Sequence, residues 1–334
     1  MKIQTFVDIV EGKLLNEPSI SAFENIRINS NNVRRGDLFI AYSQDDIKDA
    51  IDNGAYGVLT EQEVQIIDKE IAWIRVPDLQ SAIKRLVDIS FTHNHNTCMF
   101  LSYFEYDCLH KILSDKKDIV FLSGNIEKDI ENLLGDSKDL VFVFKDKNYK
   151  NYFRNINYLN SNDIKYDIIK KSLFEVSLVY KGQLFDSIKM PYVFIKNFLS
   201  VIEYLSSHKI SYSLQGYSSS YFAPLFINDT FEVVDYGKSQ KVVVLEREYD
   251  YINDGISFIM SAKWAKKIIV LPKSLNNAHI DIDKDTKVFY FKDNSELKSL
   301  LKTTIYYVAL VFSKDFNINS LKNQTIQHSL FNNF

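Results

Sequence analysis

Cysteine is scarce in this sequence. Its 334 residues include two cysteines, Cys98 and Cys108, beside ten glycines and five prolines. Two thiols that lie ten residues apart cannot supply a four-cysteine metal site, and they are too few for a disulfide framework. We therefore expect neither a structural metal nor a fold that depends on disulfides.

Long apolar runs are also absent. The longest, such as residues 305–312, are near eight residues, whereas a membrane-spanning helix needs about 20. The amino-terminal segment carries Asp8 and Glu11 within its apolar pattern, which a secretory signal does not tolerate. These features predict a cytoplasmic protein without membrane insertion.

An excess of positive charge is missing as well. The chain has 40 Lys and Arg against 43 Asp and Glu, a formal net charge of −3. This balance gives no overall field that would attract nucleic acid or anionic lipid. The 46% hydrophobic content indicates well-packed cores, and we interpret the 24 Phe and 20 Tyr as packing residues rather than base-stacking ones.

Predicted strands and helices alternate along the chain. Residues 26–61 predict a strand, a turn, a second strand, a helix and a third strand, and residues 97–145 predict a β-α-β-α-β segment. Such alternation favours parallel sheets. We predict an α/β fold of three domains, at residues 1–90, 91–227 and 228–334, with mostly parallel or mixed sheets.

Several residues of the first segment form an ordered motif. They are Asn29-Ser30-Asn31, Val33, Gly36-Asp37-Leu38-Phe39, Ala41, Gly54-Ala55 and Val58-Leu59. This set resembles the N-terminal domain of the Mur ligases, the ATP-dependent amino-acid-adding enzymes of peptidoglycan synthesis, and is most similar to the D-alanyl-D-alanine-adding ligase. The resemblance implies a three-domain Mur-ligase-like architecture, and it continues faintly beyond residue 90. An unrelated α/β unit with a Gly-Asp turn is the alternative.

The resemblance also implies a glycine-rich phosphate loop after the first strand of the second domain, with a lysine and a hydroxyl for Mg²⁺. Here residues 102–108 read Ser-Tyr-Phe-Glu-Tyr-Asp-Cys, without glycine or lysine. Their aromatic rings would fill the space of the phosphates, and Glu105 and Asp107 would repel them. The only Gly-Lys-Ser, at residues 237–239, is predicted to lie in a hairpin turn. We therefore expect no nucleotide cofactor.

Four residues are candidates for binding a substrate. Asn29 and Asn31 replace an aspartate and an arginine of the family, whereas Ser30 is kept. In the family this region contacts the uridine-diphosphate sugar, so the resemblance implies that these three residues bind substrate. The alternative is that they only satisfy backbone groups of the turn. Tyr249 is the one position of the family's C-terminal motif that survives in place.

Other chemistry is weakly indicated. His93 and His95 would share one face of a strand, but no further ligand stands at a matching spacing, so a polar interdomain linker is the preferred interpretation. Cys108 and His110 lie two residues apart on a predicted helix and point apart, which disfavours a cysteine nucleophile. We assign no catalytic and no metal-binding residue.

These observations predict a catalytically degenerate Mur-ligase homologue. Such a pseudoenzyme, without a phosphate loop, would act as a binding or scaffold protein in cell-wall synthesis or cell shape. The expected partners are a UDP-muramoyl peptide precursor or cell-wall synthesis proteins. The alternative is an active ATP-dependent amide ligase that adds a peptide to a UDP-muramoyl precursor through a rebuilt nucleotide site. An open anion-binding turn at residues 101–108 would favour the enzyme, whereas a cleft filled by Tyr103 and Phe104 would favour binding.

Overall fold

The structure is a computed structural model that describes residues 1–276 and 282–322. The chain divides into two compact units. The first consists of Met1–Tyr106, Leu113–Leu159 and Lys209–Tyr212, and the second consists of Asp107–Ile112, Asn160–His208 and the described residues from Ser213 onward. The domain boundaries at residues 90 and 227 stay a prediction. Among the described residues, no helix combines the length and the apolar character needed to cross a bilayer.

The first unit contains two sheets. Its elements are α1 (Ile3–Val10), β1 (Lys13–Leu14), β2 (Ile26–Arg27), β3 (Leu38–Ile40), α2 (Ile47–Asp52), β4 (Gly57–Thr60), β5 (Ala72–Arg75), α3 (Leu79–Asn94), β6 (Thr97–Phe100), the start of α4 (Tyr103–Ile112), β7 (Ile119–Phe121), α5 (Ile126–Leu133), β8 (Val141–Phe144) and β9 (Asn157–Tyr158). The strand orders are β1-β5-β4-β3-β2 and β7-β8-β6-β9. All pairs are parallel except β1 with β5.

The sequence explains why these strands lie inside. Every residue of β3 and β4 is buried, as expected for a parallel sheet that is covered on both faces. Helix α1 buries Phe6 and Val10 on one side and packs against α3. Asp78 caps the amino end of helix α3. Its carboxylate accepts a hydrogen bond from the Ser81 N–H at 2.8 Å and so satisfies a donor of the first turn.

The second unit also contains two sheets. Its elements are β10 (Asp167–Lys171), β11 (Val176–Tyr180), β12 (Gln183–Ile188), α6 (Ile195–Ser207), β13 (Pro224–Ile227), β14 (Val233–Val234), β15 (Lys241–Glu246), α7 (Ile252–Met260), β16 (Lys267–Pro272), β17 (Lys287–Phe291), α8 (Asn294–Thr303) and β18 (Val308–Phe312). The strand orders are β10-β11-β12 and β14-β13-β15-β18-β16-β17. Strands β15, β18, β16 and β17 are parallel, and the other pairs are antiparallel. The predicted α/β fold with mixed sheets is confirmed.

Aromatic residues build part of the core of the second unit. The ring of Phe222 stacks on Phe194 at 5.4 Å and on Phe258 at 5.2 Å between centroids, and Tyr251 meets Phe194 edge-on at 5.2 Å. Offset and edge-to-face contacts of this kind stabilise a core beyond the area they bury. The interpretation of the abundant Phe and Tyr as packing residues holds at this cluster.

One predicted hairpin is wrong. Residues 231–235 and 241–245 were expected to pair around Tyr236-Gly237, and the turn exists, with Gly237 at a φ of +76°. However, β14 pairs with β13, and β13 in turn pairs with β15. The short apolar run Pro224–Ile227 forms β13 and lies between the two strands. Its sequence does not distinguish a strand from a loop in this aromatic-rich stretch.

Three helix boundaries also differ from the prediction. Helix α3 continues to Asn94, with His95 closing it at a φ of 55°, so His93 and His95 do not share a strand face. The interdomain linker expected there stays a prediction, and the side chains of Asn94 and Asn96 are buried and donate to backbone carbonyls. The apolar pattern predicts one helix from residue 106 to 113 and another from 254 to 265, whereas α4 begins at Tyr103 and α7 ends at Met260.

Candidate functional site

A buried carboxylate organises the Gly36-Asp37 turn of the first unit. Asp37 has no exposed surface, and its carboxylate accepts hydrogen bonds from Asn25 Nδ2 at 2.9 Å, the Arg34 N–H at 2.9 Å and Arg27 Nε at 3.3 Å. The preceding residue, Gly36, has a φ of +102°, which side chains rarely tolerate. The Gly-Asp pair thus fixes the turn, and the Asp37 carboxylate holds the guanidinium of Arg27 in place.

Arg27 connects the turn to helix α5 through Glu131. Its Nη1 lies 3.1 Å from Glu131 Oε2, and the Ile28 N–H donates to Glu131 Oε1 at 3.3 Å. Burial would lower the pKa of Arg27, but the hydrogen bonds to Asp37 and Glu131, with their charges, raise it on balance. The guanidinium therefore stays charged and holds residues 25–28 against α5.

Two cavities flank this ion pair. One, of about 490 Å³, is a polar groove. The other, of about 360 Å³, is more apolar and includes Phe6, Phe23, Leu86 and His93 in its lining. Glu131 lines both cavities. We call the first the Asn29–Asn32 groove, and its lining consists of Ile28, Asn29, Ser30, Asn31, Asn32, Asp46, Glu127, Lys128 and Glu131.

The groove brings three predicted candidates together. Ser30–Asn32 is a short 3-10 helix, and Asn29 begins it by accepting the Asn31 N–H at 3.0 Å through its side chain. Ser30 is only 6% exposed, and its carbonyl accepts from Asn53 Nδ2 at 2.9 Å. Asn29 and Asn31 are exposed. Their side chains can reach a ligand, whereas most of Ser30 supports the turn.

The charge of the groove was not predicted from the sequence. Asp46, Glu127 and Glu131 bring three carboxylates to its lining, and Lys128 is the one basic residue there. Because Arg27 is paired with Glu131 at 3.1 Å, the negative charge of the groove comes mainly from Asp46 and Glu127. These carboxylates disfavour a diphosphate and favour ammonium, guanidinium or other hydrogen-bond donors. The groove is suited to a polar or cationic group.

The segment at residues 102–108, where the family resemblance implies a phosphate loop, leads directly into helix α4. Ser102 and Glu105 form a capping box at the start of α4: Glu105 Oε2 accepts the Ser102 N–H at 2.8 Å, and Ser102 Oγ accepts the Glu105 N–H at 3.3 Å. Two donors that could face a phosphate are thus satisfied within the helix. Phe104 is 1% exposed, and Lys145 Nζ lies 5.4 Å from the centre of the Tyr103 ring. These residues do not fit the phosphates of a nucleoside triphosphate.

The only Gly-Lys-Ser, at residues 237–239, begins within the turn at Tyr236-Gly237, and strand β15 begins at Lys241. Ser239 Oγ donates to the Ile227 carbonyl at 2.5 Å and accepts the Lys241 N–H at 3.0 Å. This segment is a turn, as predicted, and not the start of a helix.

Tyr249 lies in the second unit, after β15. Burial raises its pKa, its ring meets Phe312 with 6.4 Å between centroids, and Lys314 Nζ lies 5.3 Å from its centre. It stands beside Glu246, whose carboxylate is buried and accepts three backbone N–H groups, from Phe222, Arg247 and Glu248, at 2.8–3.3 Å. Tyr249 and Lys314 therefore gather at the carboxyl ends of β15 and β18.

The thiols and imidazoles do not come together. Cys98 and Cys108 are both buried, and burial raises the pKa of Cys98 to about 12, so its reactive thiolate is disfavoured. Within residues 1–276 and 282–322, no three or more His, Cys, Asp or Glu side chains are grouped as metal ligands would be. His93 instead lies within hydrogen-bonding distance of Asn94 Oδ1, at 3.0 Å.

Solved structures with the same arrangement exist. The MurF ligase from Thermotoga maritima in complex with ADP matches with a TM-score of 0.54 at 14% identity, over 89% of this chain and 96% of that one. A MurF structure from Acinetobacter baumannii matches with a TM-score of 0.56 at 10% identity, over 96% and 97%. The chain has the Mur ligase fold. Neither a model of a known protein family nor a curated protein sequence matches it.

The Mur ligase fold agrees with the resemblance read from residues 26–61. Sequence identities of 10–14% establish the fold and leave the activity open. Within that fold, Asp37 fixes the Gly36-Asp37 turn by accepting three hydrogen bonds. The start of α4 is closed by the capping box of Ser102 and Glu105.

Proposed function

We propose that this protein is a Mur-ligase homologue that works by binding, as a scaffold or regulatory partner in peptidoglycan synthesis, and does not transfer a phosphoryl group from ATP. The observation that carries the proposal is the start of α4. A nucleotide needs free backbone donors and a cation there. The Ser102–Glu105 capping box and the buried ring of Phe104 offer a carboxylate and an apolar core residue instead.

The Asn29–Asn32 groove supports the choice of partner. A UDP-muramoyl peptide would bring a diphosphate and carboxylates beside Asp46 and Glu127, which costs electrostatic free energy. A protein segment with lysine, arginine or free amide donors meets the same groove favourably. Of the two partner classes, we therefore propose a cell-wall synthesis protein, with Asn29 and Asn31 supplying hydrogen bonds and Ser30 holding the turn.

We expect a photo-crosslinking amino acid at position 31 to capture this partner in the native host. The same amino acid at Lys138, which is exposed in the same unit, is the matched control and is expected to capture none of it. Once the partner is identified by mass spectrometry, the double substitution Asn29→Ala/Asn31→Ala is expected to weaken binding about tenfold, since two hydrogen bonds are lost.

A different outcome would redirect the proposal. Saturable binding of a UDP-muramoyl tripeptide in calorimetry, weakened by the same double substitution, would assign the groove to the precursor. ADP release that depends on that precursor and a peptide would restore the amide ligase with a rebuilt nucleotide site.

A further inference from the structure

Three large apolar side chains are exposed near the start of two strands in the second unit. Trp264 is 75% exposed, Ile305 is 74% exposed and Tyr307 is 47% exposed. Between the last two, Tyr306 is buried, and its hydroxyl donates to the Leu301 carbonyl at 3.1 Å. Residues 305–307 thus follow a strand alternation that turns Ile305 and Tyr307 outward. Single exposed apolar residues are ordinary, but a group of them is not.

The three side chains belong to one surface. Strands β16 and β18 are parallel neighbours, and Lys267 pairs with Val308. The segments that precede them are joined as well, because the Tyr307 N–H donates to the Lys266 carbonyl at 2.7 Å. Trp264, two residues before Lys266, is therefore at the same edge of the sheet as Ile305 and Tyr307. We call these three residues the Trp264 patch.

Lysines surround the Trp264 patch at this amino edge of the sheet. Lys263 and Lys266 flank Trp264 and are exposed, and Lys284 and Lys287 are exposed at the start of the neighbouring strand β17. Of the described carboxylates nearby, Asp283 is bound by Lys267 at 2.8 Å. Asp285 is exposed beside Lys284, and Asp229 lies near Lys241 at the start of β15. The surface is therefore apolar at its centre and positive at its margin, although the whole chain is weakly negative.

We propose that the Trp264 patch binds the surface of an anionic lipid bilayer. Tryptophan and tyrosine rings settle at the headgroup level, an isoleucine side chain adds apolar area below it, and lysines are attracted by anionic lipid. A second copy of this chain fits less well, because a self-complementary contact would bring the lysines of both copies together. A rigid protein partner would need a pocket shaped for the projecting indole, whereas a bilayer needs none.

Vesicle binding tests this proposal with the full-length protein. We expect cosedimentation with vesicles of phosphatidylglycerol and phosphatidylcholine, and little with phosphatidylcholine alone. Trp264 reports its own insertion, because the only other tryptophan, Trp73, is 1% exposed. Its emission is expected to shift to the blue and to be quenched by brominated lipid.

The variants separate the apolar contribution from the charged one. Trp264→Ala is expected to lower the vesicle partition coefficient about tenfold. Lys263→Gln/Lys266→Gln is expected to lower it about fivefold for each lysine. The controls Ile67→Ser and Lys138→Gln/Lys165→Gln change exposed residues elsewhere and are expected to leave it unchanged.

Several outcomes would overturn the proposal. These are the absence of vesicle binding, equal binding to both vesicle types, or equal losses in the control variants. Concentration-dependent self-association that Trp264→Ala abolishes would assign the patch to a second copy, and retention of a protein partner without lipid binding would assign it to protein. None of these results bears on the nucleotide or groove proposals, which rest on the first unit.

Discussion

Asp37→Ala is expected to lower the free energy of unfolding of the first unit by about 3 kcal/mol. The substitution leaves the Arg34 N–H and the Asn25 amide without their acceptor and leaves Arg27 with Glu131 alone. Urea unfolding followed by tryptophan fluorescence measures the loss, because Trp73 is buried in this unit.

Two further variants serve as controls for Asp37→Ala. Asp52→Ala removes an exposed carboxylate of helix α2 and is expected to change stability by less than about 0.5 kcal/mol. Asp37→Asn keeps the size of the side chain and part of its accepting capacity, so an intermediate loss is expected. Equal stability of Asp37→Ala and Asp52→Ala would contradict the role given to the Gly-Asp turn.

Glu246→Ala is expected to destabilise the second unit by about 3 kcal/mol, since three backbone N–H groups lose a buried acceptor. One of them belongs to Phe222, which is held at a φ of 51° within the aromatic core. Hydrogen-exchange mass spectrometry is expected to show faster exchange in peptides that contain residues 222 and 246–249. Asp229→Ala, at an exposed carboxylate, is the control, and unchanged exchange in Glu246→Ala would refute the assignment.

The pH dependence of this contribution has a defined sign. Burial raises the pKa of Glu246, although its backbone hydrogen bonds oppose the shift. The folded state therefore holds the proton more tightly than the unfolded chain, and the stabilisation is complete below the ordinary glutamate pKa of 4.5 and is lost as pH rises through the raised pKa. Relative to non-titrating Glu246→Gln, the wild type is expected to lose stability as pH rises from about 4. A pH-independent difference would contradict this.

The parts of the fold that the sequence predicts are those with strong local signals. Apolar strands such as residues 38–40 and helices such as α1 are set by periodicity, and the Gly36-Asp37 turn needs a backbone that glycine provides and a carboxylate that its neighbours share. Strand β13 could not be predicted from its sequence, because its strand conformation depends on pairing with β14 and β15 and not on its own residues.

The candidate site was predictable only in part. Asn29, Ser30 and Asn31 could be singled out by their place in the motif. The acidity of their groove could not, because Glu127 and Glu131 come from a helix about a hundred residues further along the chain. The capping box at Ser102 and Glu105 has the Ser-x-x-Glu spacing that marks a helix start, but the apolar periodicity of this helix begins only at residue 106.

Calorimetric titration of Mg-ATP and Mg-ADP into the purified protein tests the central claim most directly. We predict no saturable heat with either nucleotide at concentrations up to several millimolar, because Glu105 and Ser102 satisfy each other's backbone donors where the phosphates would lie. Saturable binding of Mg-ATP, weakened by a substitution at the start of α4, would contradict the account and return the protein to the ATP-dependent ligases.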